Sequence, residues 1–222
     1  MALSQDSSTS LGFNPDVVNA AITKINEAYT AIATAIGSET QNQFVQYVSE
    51  NWAAPQAQKY FAKVDEAFNS LKASIDTIFQ SVADSMNSAG SIWSGVTGRP
   101  FNRVSYTKSS EKIDVSIIKE SINGVSGITT DCGSTAKSRL STIMNKIDSE
   151  LGKAAAAVSS PDVSGFTQGA SGSLAASLKQ IQSNVSSTSN DLTTGLGNAT
   201  QSTVETYQEA ESKIAQAFAG NE

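Results

Sequence analysis

The feature that most constrains the fold is an apolar heptad repeat in the first half of the chain. Its members follow one another at steps of three and four residues: Phe61, Val64, Phe68, Leu71, Ile75, Ile78, Val82 and Met86. Because an α-helix turns once every 3.6 residues, this spacing places all of them on one face of a single helix. A helix with one apolar seam needs partners that cover the seam. The pattern therefore predicts an all-α fold of long, packed helices.

A second helix is predicted before this one. Asn14 is a good N-cap for a helix that starts at Pro15. Apolar residues then recur mostly every three or four positions, with a weak point at Gly37-Ser38: Ile22, Ile25, Tyr29, Ile32, Ile36, Phe44 and Val48. The sequence predicts one helix over about residues 15–49. The short connection to the heptad helix predicts that the two helices run antiparallel as a hairpin.

The periodic pattern stops between Ser91 and Ser110, and a helix cannot pass Pro100 without a break. Trp93 and Phe101 are expected to hold this linker against the helices. Beyond it, apolar spacing predicts a third helix over about residues 113–159: Ile113, Ile117 or Ile118, Ile122, Val125, Ile128, Cys132, Ala136, Leu140, Ile143, Ile147 and Leu151. Because Cys132 falls on this stripe, we interpret it as a buried small hydrophobe. A fourth helix is predicted over about residues 174–218, and its Ser-, Thr- and Asn-rich middle should be locally soft.

The four apolar patterns together predict an all-α fold of four long antiparallel helices, arranged as two tandem helical hairpins in an elongated four-helix bundle. The corresponding domains are 1–98, a linker at 99–110, and 111–222. Short matches such as Asp16-Val17 with Asp114-Val115, and Ile25-Asn26 with Ile122-Asn123, indicate either a tandem duplication or a shared architecture alone. One amphipathic hairpin cannot bury its own seam, so the second hairpin should cover the first. We therefore expect a monomer.

Composition argues against several functional classes. The chain has no histidine and one cysteine, so it lacks the commonest general base and the usual zinc ligands. A non-enzymatic protein without a metal or a cofactor is expected. The net charge of −6 disfavours nucleic acid and should repel anionic membranes. Residues 1–6 lack the features of a cleaved signal peptide, and no apolar run reaches the roughly 18 residues of a membrane span.

Two short motifs stand out on this helical background. The predicted turn carries Trp52, Ala53 and Ala54 before Pro55, and the last helix carries Tyr207 with Glu211 four residues later. On a helix, residues four apart share one face. A helical hairpin with a Trp-x-Gly turn and a late Tyr-x-x-x-Asp/Glu signal resembles the WXG family of small proteins, which are substrates of type VII secretion systems. Ala54 stands where the family has glycine.

The resemblance implies a function as well as a fold. Family members pair as hairpins into antiparallel four-helix dimers, so the two hairpins here resemble two subunits joined in one chain, an intramolecular pseudo-dimer. It implies a bacterial, virulence-associated protein that is secreted from the cytoplasm without a cleaved signal peptide. Trp52, Ala54 and Pro55 would form the turn motif, while Tyr207 and Glu211 would be the secretion signal, read by the secretion-system ATPase or another protein partner. The alternatives are a structural coiled-coil rod or a membrane-active helical toxin component.

Overall fold

The computed structural model describes residues 14–101, 103–104 and 106–219, with side chains up to residue 217. Residues 1–6, on which the signal-peptide prediction depends, lie outside these ranges. The chain is mostly helical, which confirms the all-α class. The elements are α1 (Pro15–Thr34), α2 (Gln46–Asn51), β1 (Trp52–Ala53), α3 (Pro55–Thr97), β2 (Gly127–Ile128), α4 (Cys132–Val158), α5 (Pro161–Phe166) and α6 (Ser171–Ala219).

The first predicted helix forms as one helical run, but not as a uniform α-helix. Asn14 caps its start, and the Asn14 Oδ1 accepts a hydrogen bond from the Asp16 N–H at 3.1 Å. After α1 the chain continues through two π-helical segments, Ala35–Glu39 and Gln41–Val45, into α2. A π-helical turn holds one residue more than an α-turn. The predicted weak point at Gly37-Ser38 falls inside the first π segment.

The heptad prediction is confirmed in α3. Every residue of the seam between Phe61 and Met86 is buried. The helix extends to Thr97, beyond the predicted start of the linker, and ends where Gly98 adopts a φ of +68°. The Gly98 N–H donates to the Ser94 carbonyl at 2.9 Å, as expected of a glycine that closes a helix. Pro100 then follows outside the helix.

The predicted start of the third helix is wrong. Residues 112–131 form no α-helix, and α4 begins only at Cys132. Val115–Ile117 is a single 3-10 turn, capped by the Asp114 carboxylate, which accepts from the Ser116 N–H at 2.9 Å. The segment is rich in β-branched side chains, which pack well in extended structure. The apolar spacing there reflects short extended pieces and not a helical face.

A tight turn inside this segment explains the error physically. Ile122 and Val125 exchange both backbone hydrogen bonds, at 2.8 and 2.9 Å. Between them Asn123 and Gly124 have φ values of +52° and +77°. An Asn-Gly pair with two positive φ angles is typical of a two-residue hairpin turn. The residues matched to α1 in the suggested duplication, at 114–115 and 122–123, are therefore not helical, and this part of the likeness is lost.

The chain divides into two compact units, each assembled from three stretches. Unit 1 consists of Met1–Ala35, Ser70–Glu111 and Asn145–Ser186. Unit 2 consists of Ile36–Asn69, Lys112–Met144 and Ser187–Glu222. Each unit thus draws on both predicted hairpins, and the boundaries 1–98, 99–110 and 111–222 stay a prediction. In the described part of the chain, no helix combines the length and the apolarity needed to cross a membrane.

Within unit 1, the linker is held as the sequence predicts. The Trp93 indole N–H donates to the Phe166 carbonyl at 2.9 Å, and the Phe101 ring stacks on the Phe166 ring at 5.4 Å. Phe101 also lies directly against Gly90, where a Cβ atom would overlap its ring. Phe101 therefore fixes the start of the linker to α3 and α5. Trp93 lies within α3 itself, so its hydrogen bond joins that helix to α5.

Candidate functional site

The turn that carries Trp52 is a pair of short strands. Trp52 has an extended backbone, and β1 pairs antiparallel with β2, with Trp52 opposite Ile128 and Ala53 opposite Gly127. The Thr129 N–H continues the ladder by donating to the Asn51 carbonyl at 3.0 Å. These hydrogen bonds satisfy backbone groups that the end of α2 would leave unpaired.

The Trp52 side chain lies entirely inside unit 2. Its indole N–H donates to the Thr203 Oγ1 at 3.1 Å, and neither residue is exposed to solvent. Nearby, the Tyr60 hydroxyl donates to the Leu192 carbonyl of α6 at 3.0 Å. Burial raises the pKa of Tyr60 well above its ordinary value of 10, so the phenol stays protonated. Trp52 and Tyr60 thus bind the part of α6 that belongs to unit 2 through two buried hydrogen bonds.

Ala54 and Pro55 start α3. The Ala54 carbonyl accepts hydrogen bonds from the N–H groups of Ala57 and Gln58, at 3.0 and 3.4 Å. Ala54 is buried, while Pro55 is exposed at the first helical position, where its missing N–H costs nothing. Because Trp52 and Ala54 are both buried, the turn motif acts here through packing and presents no aromatic surface.

The C-terminal arm, defined as residues 204–217 of α6, has the opposite character. Thr203 is the last buried residue of α6 among the side chains described. Beyond it Tyr207 is half-buried and the rest of the arm is exposed, including Glu211 and the apolar Ile214. A salt bridge joins Glu209 and Lys213 at 2.6 Å, and such pairs four residues apart support a solvent-exposed helix.

The structure connects the two predicted motifs through a residue that the sequence analysis missed. In the described part of the chain no ring contact or hydrogen bond joins Trp52 to Tyr207, but Trp52 binds Thr203, one helical turn before Tyr207. A buried indole N–H requires an acceptor, and this rule predicts that some acceptor exists. The heptad pattern alone could not identify Thr203 as that acceptor.

Unit 1 contains a buried carboxylate, that of Asp76. Tyr29 and Tyr106 each donate a hydroxyl hydrogen bond to the Asp76 Oδ1 at 2.9 Å, while Lys72 approaches the Oδ2 at 2.8 Å and Lys108 at 3.6 Å. Burial alone raises the pKa of Asp76, but the hydrogen bonds from Lys72, Tyr106 and Tyr29 outweigh it and leave the pKa below its ordinary value. The carboxylate thereby holds the linker. It binds Tyr106 of the linker directly, and it orients the Tyr29 hydroxyl, which accepts a hydrogen bond from the Ser109 N–H at 2.7 Å.

Cys132 is buried, as the sequence predicts. Burial, with a smaller contribution from the charge of Asp131, raises the pKa of the thiol to about 11. The thiol is therefore protonated at neutral pH and a poor nucleophile. Among the described residues, no group of three or more His, Cys, Asp or Glu side chains could hold a metal ion.

A groove of about 750 Å³ runs along α1 and the end of α4 within unit 1. Its floor consists of alanines of both helices, and its rim carries charges of both signs: Lys24, Glu27, Glu150, Lys153 and Asp162. Lys153 and Glu150 neutralise each other across 2.7 Å. The groove thus presents small apolar side chains below a rim of mixed charge.

Comparisons of the chain with protein-family models, with curated proteins and with solved structures gave no match. Of the predicted site residues, Trp52 and Ala54 are buried, whereas Pro55 and Glu211 are exposed and Tyr207 is half-buried.

Proposed function

We propose that the chain is a bacterial, non-enzymatic protein of the WXG type, exported by a type VII secretion system and acting through protein–protein interaction in a virulence-associated role. The observation that carries this proposal is the exposure of the C-terminal arm with Tyr207 and Glu211 on one face. The Tyr-x-x-x-Asp/Glu signal of that family has to be read by another protein, so it has to lie on an accessible helix.

The physical state of the arm suits recognition by a docking partner. It is already helical, and the Glu209–Lys213 salt bridge supports that helix without covering Tyr207. Because the arm is already helical, it loses less conformational entropy on binding than a segment that has to become ordered. A tyrosine combines apolar area with a hydroxyl group, and this combination makes it frequent in protein interfaces. The partner under this proposal is the secretion-system ATPase.

The proposal includes an arrangement of the helices. Residues 1–98 and 111–222 form two tandem antiparallel hairpins, joined by the linker at 99–110, in an elongated four-helix bundle that acts as an intramolecular pseudo-dimer. The heptad seam of α3 and the length of α6, 49 residues, support it. Light scattering should give the mass of one chain. A mass of two chains would contradict the monomer.

The secretion signal can be tested with substitutions in the C-terminal arm, which also offers a matched acidic control. In the native bacterial host, Tyr207→Ala and Glu211→Gln should each shift the protein from the culture supernatant to the cytoplasm. Glu209→Gln is the matched control, because Glu209 is equally exposed on the arm but lies on a different face from Tyr207. Comparison of supernatant and lysate by immunoblot gives the result. Undiminished secretion of Tyr207→Ala and of a chain without residues 205–222 would contradict the assignment.

The same measurement separates the proposal from a structural coiled-coil rod, for which the arm should not affect export. A membrane-active toxin component would instead release dye from liposomes. We expect no leakage at concentrations where the protein is fully folded, and leakage would favour the toxin over the secreted interaction protein.

A further inference from the structure

The C-terminal end of α3 carries a patch that is both apolar and basic. Ile92 and Val96 lie one helical turn apart, and their side chains are 66% and 75% exposed. Arg99 and Arg103, both exposed, follow directly after the helix. We refer to these four residues as the α3 C-terminal patch. Its two aliphatic residues are among the five large apolar side chains found exposed in the described part of the chain.

Ordered contacts position this patch within unit 1. Ile92 and Arg103 line the same shallow cleft of about 400 Å³. Asn87 anchors the segment that carries the arginines: its side chain accepts from the Val104 N–H at 2.7 Å and donates to the Val104 carbonyl at 2.9 Å. Since Phe101 is also fixed against Gly90, the cations are held close to the exposed end of α3.

The charge around the patch differs in sign from that of the whole chain. The chain has a net charge of −6, yet no acidic residue occurs between Asp84 and Glu111, where three cations lie. Lys108 is directed toward Asp76, but no salt bridge to Arg99 or Arg103 is present among the described residues. Asp84 lines the same cleft as Arg103, and its carboxylate accepts a hydrogen bond from Gln80 at 2.9 Å.

We propose that the α3 C-terminal patch adsorbs the protein to the surface of an anionic lipid bilayer. Exposed aliphatic side chains next to arginines are the chemistry of an interfacial site, in which the apolar groups enter the headgroup region and the guanidinium groups contact lipid phosphates. Salt screens the acidic charges that lie farther than about 8–10 Å from the patch. Asp84 shares a cleft with Arg103, but the two arginines outnumber this one acid. This inference is independent of the export route.

The size of the patch favours a bilayer over a protein. A stable protein interface buries roughly 800 Å² per partner and involves about 20–30 residues on each side. Four neighbouring side chains fall far below this. A bilayer needs no shape complementarity, and each arginine near an anionic surface strengthens binding about fivefold.

Vesicle co-flotation tests the proposal. The full chain is mixed with phosphatidylcholine vesicles, alone or with roughly a third phosphatidylglycerol, a composition chosen for its surface potential. We expect binding to the anionic vesicles, weak binding to the neutral ones, and release in high salt. Arg99→Gln with Arg103→Gln should lower the partition coefficient about 25-fold. Ile92→Gln with Val96→Gln should lower it at least about tenfold.

Ile214→Gln is the matched control, because Ile214 is also an exposed aliphatic on a helix but lies among the acids of the C-terminal arm. It should leave binding unchanged. Helical circular dichroism should be the same for all variants, since every substituted side chain is exposed. Absence of binding to anionic vesicles, or equal losses in the control and the patch variants, would overturn the proposal. Binding to soluble polyglutamate as tight as to the vesicles would assign the patch to an acidic protein surface instead, and would also overturn it.

Discussion

Units 1 and 2 fasten their non-helical segments to long helices with different chemistry. In unit 1, residues 106–109 are held by a buried charge, the Asp76 carboxylate, which binds two tyrosine hydroxyls and a lysine. In unit 2, the Trp52 turn is held by neutral groups, through the hydrogen bond of Trp52 to Thr203 and the strand pair with Ile128. A charged anchor is sensitive to pH and to loss of one partner, whereas a neutral aromatic anchor depends chiefly on buried area.

Each unit contains one of the two tryptophans of the chain, which makes the comparison measurable. Trp52 donates its indole N–H inside unit 2, and Trp93 donates its indole N–H to Phe166 inside unit 1. The two indole N–H signals in an NMR spectrum therefore report on the two units separately. Their assignment follows from Trp52→Phe and Trp93→Phe.

The largest effect is expected from Trp52→Ala. The substitution removes the largest fully buried side chain in the described part of the chain, along with the hydrogen bond to Thr203. Loss of a buried aromatic side chain of this size costs about 3–5 kcal/mol of unfolding free energy. Urea denaturation followed by circular dichroism measures it. Trp93→Ala is the control and should cost less, because Trp93 is only half-buried; an equal cost would contradict the assignment of Trp52 as the main anchor.

Asp76→Ala should have the next largest effect, roughly 3 kcal/mol of unfolding free energy. It leaves the Lys72 ammonium group without its carboxylate and removes the acceptor of both tyrosine hydroxyls. The Trp93 indole signal should shift, because the linker loses its anchor, and the Trp52 signal should not. Asp84→Ala, which removes an exposed carboxylate of the same helix, should cost less than about 0.5 kcal/mol. A comparable loss of unfolding free energy in both variants would show that the buried interactions of Asp76 do not stabilise the fold.

Acid should weaken the charged anchor selectively. The pKa of Asp76 lies below its ordinary value of 3.8 in the folded protein, so folding favours the carboxylate. The stability it contributes is complete above pH 3.8 and is lost as the pH falls through the lowered pKa. The difference in unfolding free energy between wild type and Asp76→Ala should therefore shrink between about pH 6 and about pH 2. The difference between wild type and Trp52→Ala should stay constant, and a parallel decrease would contradict the contrast between the units.

How far the sequence predicts these anchors depends on the range of the interaction. The helices follow from local rules: the heptad of α3, the cap at Asn14, and the stop at Gly98 and Pro100. The Asn123-Gly124 turn was also readable locally, but the apolar spacing around it imitated a helical face. Those apolar positions serve the hairpin between Ile122 and Val125 and the strand β2. The strand pairs with Trp52 and Ala53, which lie 76 and 74 residues away from their partners Ile128 and Gly127. Periodicity contains no information about such a partner.

The partners of the buried polar residues cannot be predicted from the sequence for a related reason. Asp76 occurs in the sequence as one polar residue beside the seam of α3, and nothing nearby indicates that Tyr29 and Tyr106 surround it. Tyr207 and Glu211 form a local motif that can be read from the sequence, and the structure adds that their arm is exposed. The residue that joins the arm to the turn, Thr203, has no motif of its own.

The smallest effect, and the sharpest test of the neutral anchor, is expected from Thr203→Val. Valine has nearly the same shape as threonine, so the substitution removes the acceptor of the Trp52 indole N–H without opening a cavity. A buried donor left without an acceptor costs about 1–3 kcal/mol, and the value should lie near the lower limit because the packing is kept. The Trp52 indole proton should move upfield as its hydrogen bond is lost, with the Trp93 signal unchanged. Thr206→Val, in the exposed arm one turn from Thr203, is the control and should alter neither signal. An unchanged Trp52 signal in Thr203→Val would contradict the hydrogen bond between Trp52 and Thr203. Packing alone would then hold α6 against the Trp52 turn.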